Sequence, residues 1–224
     1  MKKLSAIQRM MRAAACLTHG GKMKNVISIS TSPFNPICDR RAAVSNSICA
    51  HCFSRRMMRV YKALDEKLRK NAAWLSTVEL TAADVYHFKP KSNFFRFEAF
   101  GDLFSTLQVK NYFVIAEALA ADGIECAMWT KNPQVIKKAI EQYNLKKPSN
   151  LNIIFSVAGL NSDASAMIYD ALMSSGYGFI DKVFTVFDDA HADGVNINCG
   201  ARDCATCGKC YHKNDIVFIN EKLK

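Results

Sequence analysis

Seven of the nine cysteines in this chain fall into two groups, Cys38-x10-Cys49-x2-Cys52 near the start and Cys199-x4-Cys204-x2-Cys207-x2-Cys210 at the end. A two-residue gap lets neighbouring thiolates close on one compact centre. Any fold this chain adopts must therefore wrap its backbone tightly at two places far apart in sequence. The flanking Asn198, Gly200 and Gly208 supply residues that tolerate such wrapping. Disulfide scaffolds belong to small secreted domains, whereas an odd cysteine count with Cys-x2-Cys spacing points to metal in a reducing compartment.

Soft thiolates select zinc or iron–sulfur over hard cations. The Cys204, Cys207, Cys210 run has the spacing of the first three ligands of a bacterial ferredoxin, although its fourth cysteine, Cys199, precedes the run instead of following it. Cys199, Cys204 and Cys207 equally match a plant-type two-iron spacing. The expected cofactor is at least one [4Fe-4S] cluster, with zinc as the alternative because four thiolates also satisfy a tetrahedral ion. Cys38, Cys49 and Cys52 either leave one iron open on a cluster of their own or join the downstream group. Seven thiols are one short of the number two fully ligated four-iron clusters need. With nothing independent marking a second centre, the reading leans to one cluster. Cys16 and Cys126 read as small apolar core residues, and His51 stands between two upstream cysteines as a further, weaker ligand candidate.

The 224 residues, half of them hydrophobic, read as a single α/β domain over 1–224, with 199–213 as a cysteine-rich metal-binding segment inside it. Met1, Lys2 and Lys3 ahead of Ala13–Cys16 faintly resemble a lipoprotein signal. Arg9 and Arg12 interrupt the apolar stretch such a signal needs, so an amphipathic helix is expected instead. No stretch approaches the ~18–20 apolar residues that cross a bilayer. The expectation is a cytoplasmic protein with no membrane partner.

The net charge of +10 is uneven. Residues 1–70 hold fifteen Lys and Arg against Asp39, Asp65 and Glu66, and the remainder is slightly acidic. Such asymmetry marks either a surface for nucleic acid or an anionic ligand, or a solvated helix face. A helix expected over Phe53–Ser76 carries Arg55, Arg56, Arg59, Lys62, Arg69 and Lys70 opposite its apolar stripe.

Strand-like segments at Asn25–Ser30, Phe94–Glu98, Ile124–Trp129, Asn152–Val157, Val183–Phe187 and Ile216–Ile219 alternate with helical ones. Helices are expected over Ser105–Ala121, from Asn132-Pro133, and over Ser162–Met173 with Ser162 or Asp163 as cap. This alternation implies a parallel sheet of about five to seven strands with covering helices, built as a partial or irregular TIM-like barrel. An open doubly wound sheet is the alternative. In either, the carboxyl ends of the strands form the active face, and they carry Ser30–Ser32, Glu98–Asp102 and Thr130–Lys131. Asp102 and Lys131 are candidate catalytic groups, poised to orient an anionic ligand, though each also reads as an ordinary turn or surface residue.

Phe95–Phe104, with Met128–Pro133, resembles the core pattern of the phage-borne Gene product 88 family, in which one strand ends in Gly-Asp and the next in aromatic-Thr-Lys. Cys38, Cys49–Phe53 and Cys204–Tyr211 resemble its cysteine segments. The resemblance spans roughly residues 25–213. It implies that Cys38, Cys49, Cys52, Gly101, Asp102, Thr130 and Lys131 are family positions, and that the protein works in the cytoplasm of a bacterial host. It implies no activity. The layout is also similar to that of radical SAM enzymes, but their Cys-x3-Cys-x2-Cys motif is absent, because ten residues separate Cys38 from Cys49.

Overall fold

The computed structural model describes residues 5–18, 21–86, 88–162 and 165–223. In chain order its elements are α1 (Ala6–Ala14), β1 (Cys16–Leu17), β2 (Ile27–Ile29), α2 (Pro36–Ala42), a 3-10 turn (Ile48–His51), α3 (Phe53–Val60), α4 (Lys62–Leu75) and α5 (Ala82–Val85). There follow β3 (Phe94–Phe97), α6 (Thr106–Ala120), β4 (Glu125–Thr130), α7 (Pro133–Tyr143), β5 (Leu151–Ser156), α8 (Ser165–Ser174), β6 (Lys182–Phe187), α9 (Cys204–Cys207) and β7 (Phe218–Lys222).

Among the described residues the strands form one seven-stranded sheet in chain order, parallel from β2 to β7, with β1 antiparallel at the edge. Neighbours in space are neighbours in sequence, the order of a barrel. A doubly wound sheet would reverse direction partway. No pairing joins β1 to β7, so the sheet stays open.

Side chains alternate across the pleat, and the two faces have different company. Phe95, Phe97, Cys126, Met128, Leu151, Ile153 and Val183 point to one face, where they pack with Val109, Tyr112, Ile115, Leu119, Ile136 and Ala139 of α6 and α7. This is the main core. Phe94, Ala127 and Ile154 point to the other face and pack against Tyr211, Cys204 and Cys210. The cysteine-rich segment thus covers the face that the helices leave free.

The structure corrects three local expectations. The basic helix is two helices: Tyr61 leaves helical geometry at φ −97° and ψ 79°, ending α3 and starting α4. Cys16 belongs to strand β1 and is only partly buried, whereas Cys126 is a core residue as expected. The last strand starts two residues later than its apolar pattern begins, because Ile216 N–H is held by the Asn214 side chain before the ladder opens. Asp163, a candidate cap of α8, lies outside the described residues.

Candidate metal centre

Local capping sets Cys38 and Cys49. Asn35 accepts from the N–H groups of Ile37 and Cys38 at 3.1 and 2.9 Å, and Pro36 follows as the first helical residue, so α2 starts at a fixed point with Cys38 in its first turn. The Asn35 amide also lies 3.3 Å from Cys38 Sγ. Ser47 caps the next turn by accepting from Cys49 N–H at 3.1 Å, and Ile48 N–H ties that turn to Ala158 O beyond β5.

The downstream group is pinned to the inner face of the sheet. Asn152, buried on β5, lies 3.1, 2.7 and 3.0 Å from the carbonyl oxygens of Cys210, Tyr211 and His212. Tyr211 stacks on Phe94 with ring centroids 4.5 Å apart. Asp203 caps the single turn of α9 through Thr206 N–H, and Gly208 ends it at φ +63°, a left-handed backbone that glycine adopts without strain. Cys199 N–H bonds Asn220 O on β7. Lys22 reaches from the other edge of the sheet to Cys199 O at 2.9 Å, Cys199 Sγ at 3.2 Å and Glu221 at 2.5 Å. Burial opposes the Lys22 charge, but Glu221 and Cys199 together hold its ammonium well above the ordinary lysine range.

The two groups meet at one cavity of about 240 Å³, whose walls include Cys38, Cys49 and Cys52 together with Cys199 and Cys210. Cys204 and Cys207 do not line it. Burial, Asp102 and the nearby Cys49 and Cys52 push Cys38 up to about 12, with Asn35 opposing. Burial also pushes Cys210 up to about 12, against Arg96, with Cys199, Cys204 and Cys207 adding to the rise. Burial likewise raises Cys199 and Cys204, with Cys207 adding to both and Lys22 opposing. A bound cation would offset such a rise by stabilising the thiolates.

Two buried donors bear on what fits there. Arg96 Nε and Tyr211 Oη have no acceptor among the described residues, and both lie within the electrostatic reach of Cys204 and Cys210. Their unmet donors suit the sulfurs of an anionic cluster. Arg96 otherwise lies flat over Trp129, 3.7 Å from the ring centroid. Among the described residues, no group of three or more His, Cys, Asp or Glu side chains is drawn in as ligands of a single ion. A four-iron cluster binds each thiolate through a different iron, so its ligands stand farther apart than those of one zinc.

Strand ends complete the cavity. Glu98, at φ +56°, turns its carboxylate away from solvent to accept from Thr31 N–H at 3.1 Å, Gln108 at 2.7 Å and Tyr112 at 2.5 Å. Burial raises it to about 7 despite those bonds. A Cβ on Gly101 would stand 2.4 Å from Thr31 Oγ1 and 2.6 Å from Thr31 O, so glycine is needed there for close approach. Asp102 accepts from Arg41 at 2.7 Å, Thr130 at 2.7 Å and the N–H groups of Leu103 and Lys131. Its carboxylate is spent on positioning, whereas the Lys131 ammonium borders the cavity without an ion pair among the described residues. Arg96, Glu98, Arg41 and Lys22 were not singled out from sequence. The signal for Arg96 was there: it is the one charge in the strand Phe94–Phe97 and sits on the face opposite Phe95 and Phe97. His51 is exposed and lies outside the cavity wall.

Fold and site define a cysteine-rich α/β protein with a thiol-walled cavity on the inner face of an open, barrel-ordered sheet. The chain belongs to the Gene product 88 family, a phage gene-product family whose model matches residues 3–222. Neither a curated protein nor a solved structure matches it. None of the described helices is long and apolar enough to cross a membrane.

Proposed function

We propose that this is an iron–sulfur protein with two centres, working in the cytoplasm of a bacterial host. Cys199, Cys204, Cys207 and Cys210 hold a closed [4Fe-4S] cluster, and Cys38, Cys49 and Cys52 hold a second with one iron free of thiolate. The observation that carries this reading is one cavity lined both by Cys38, Cys49 and Cys52 and by Cys199 and Cys210 of the downstream quartet. It departs from the single shared cluster favoured by sequence in giving the downstream four cysteines, enough thiolates to close a four-iron cluster by themselves, a centre of their own. Such clusters supply one-electron transfer, and an iron without thiolate supplies a position for an exogenous ligand. Lys131 then provides a cation at the edge of that position.

Anaerobic purification with iron and sulfide analysis tests it: about eight irons per chain is the expected result for two four-iron clusters. About four irons would overturn the two-centre arrangement, and a colourless protein with stoichiometric zinc would overturn the cluster reading. The second reading, a zinc-stapled nucleic-acid-binding protein, draws on the exposed Arg56, Arg59 and Lys62.

A further inference from the structure

Part of the surplus positive charge of the first seventy residues lies on α3. All three acids there are taken: Asp39 pairs with Arg55, Asp65 with Arg69 and Glu66 with Lys70. Arg56 and Arg59 of α3 are exposed and make no ion pair with a described residue. With Arg55 they wall a depression of about 470 Å³ whose floor includes Cys49 and Cys52. Around them Phe53, Val60 and Tyr61 are 59%, 71% and 57% exposed. The unmatched arginines therefore border a surface depression that reaches Cys49 and Cys52, and the exposed apolar side chains stand on the same helix or at its end.

We infer that this mouth is the docking surface of an acidic, one-electron carrier protein. The inference rests on the iron–sulfur reading above. A cluster held by Cys49 and Cys52 comes within reach of a protein docked over this depression, which those two residues line. Two unneutralised guanidinium groups steer an acidic partner to it and reject a basic one. Arginine and aromatic side chains together are the composition of protein–protein contact centres. A nucleic-acid tract fits less well. The break at Tyr61 turns α4 away from the α3 row, and Arg69 and Lys70 on α4 are matched by their own acids. In the encounter one electron leaves the reduced carrier and enters the cluster. The carrier is oxidised and the cluster reduced by one unit, with no bond formed and no proton moved.

The test uses the purified, iron-loaded protein and an acidic flavodoxin as probe. Binding is measured across a salt series for the natural chain, for Arg56→Glu/Arg59→Glu, and for a control of equal charge change, Lys138→Glu/Lys146→Glu. Expected are binding that weakens as salt rises, at least a tenfold loss in the arginine variant, and no change in the control. Cluster reduction by reduced flavodoxin should slow in the arginine variant while reduction by dithionite does not. Absent flavodoxin binding at low salt, or equal loss in both variants, overturns the proposal. So does a result in which the arginine variant loses salt-sensitive binding of a single-stranded oligonucleotide and keeps its flavodoxin binding. Iron analysis of the same preparation reports on the cluster reading separately, so the two failures are distinguishable.

Discussion

Asp102 grips Arg41 across a 2.7 Å ion pair, and this contact fastens the helix bearing Cys38 to the ends of two strands. The second guanidinium nitrogen of Arg41 donates to Lys131 O at 2.5 Å, so β3 and β4 hold α2 together. The Asp102 side chain is 7% exposed, which leaves little water to replace a lost partner.

Asp102→Ala should therefore cost about 3 kcal/mol in chemical denaturation, the toll of stranding a largely buried guanidinium. Iron content should fall with it, since Cys38 loses its brace. Arg41→Lys keeps the charge but not the fork and should lose less. Unchanged stability in Asp102→Ala would refute the bracing role.

The Glu98 carboxyl sets a pH dependence of stability with an unusual sign. Its folded value of about 7 lies above the ordinary glutamate value of 4.5. The native state thus holds this proton more tightly than the unfolded chain does. Stability is fully present below about pH 4.5 and is lost as pH rises through 7, by about 3 kcal/mol for this group. Glu98→Gln should flatten that slope between pH 5 and 7. A slope that persists in the variant would assign it elsewhere.

Gly101→Ala places a methyl 2.6 Å from a backbone oxygen, which cannot swing aside as a side chain does. Overpacking of this kind costs about 1–3 kcal/mol, read as a lowered denaturation midpoint with unchanged slope. A neutral result would mean that the Thr31 loop yields freely.

Cysteine variants separate the two centres. Cys204→Ser/Cys207→Ser should remove about half the iron and leave the upstream cluster, and Cys49→Ser/Cys52→Ser should do the reverse. Loss of all iron in both variants would indicate one shared cluster.

Tyr211→Phe removes a buried hydroxyl that has no protein acceptor. The metal-free protein should be no less stable, because an unmet donor is lost. The loaded protein should show a more negative potential. A bond worth about 1 kcal/mol more to the reduced cluster corresponds to roughly 40 mV. An unchanged potential would place the hydroxyl away from the sulfurs.

Alternating apolar strands and helices were legible in the chain, and so were the sequential sheet and the strand ends that border the cavity. Their signals are local: period two in Phe94–Phe97, a proline after Asn132, the Gly101-Asp102 turn. The break at Tyr61 was not legible, since no glycine or proline marks it and the apolar spacing runs straight through. Nor was the Glu98–Tyr112 pair, which forms only because α6 packs across the end of β3. Lys22 and Glu221 are 199 residues apart, and no periodicity links them. What sequence could not supply was the division of labour between the two carboxylates, Glu98 sealed in the core and Asp102 spent on Arg41.

The lysine at position 22 gives the open sheet a clasp. It comes from the loop before β2, while Glu221 and Cys199 belong to the far edge, so side chains bridge a seam that no ladder closes. A ladder closes a seam through many backbone bonds in register. Here one ammonium, with the Cys204 N–H bonded to Lys22 O, does the joining. The margins of the open sheet are thereby fastened at a point, where a closed barrel would spread the same linkage along two whole strands.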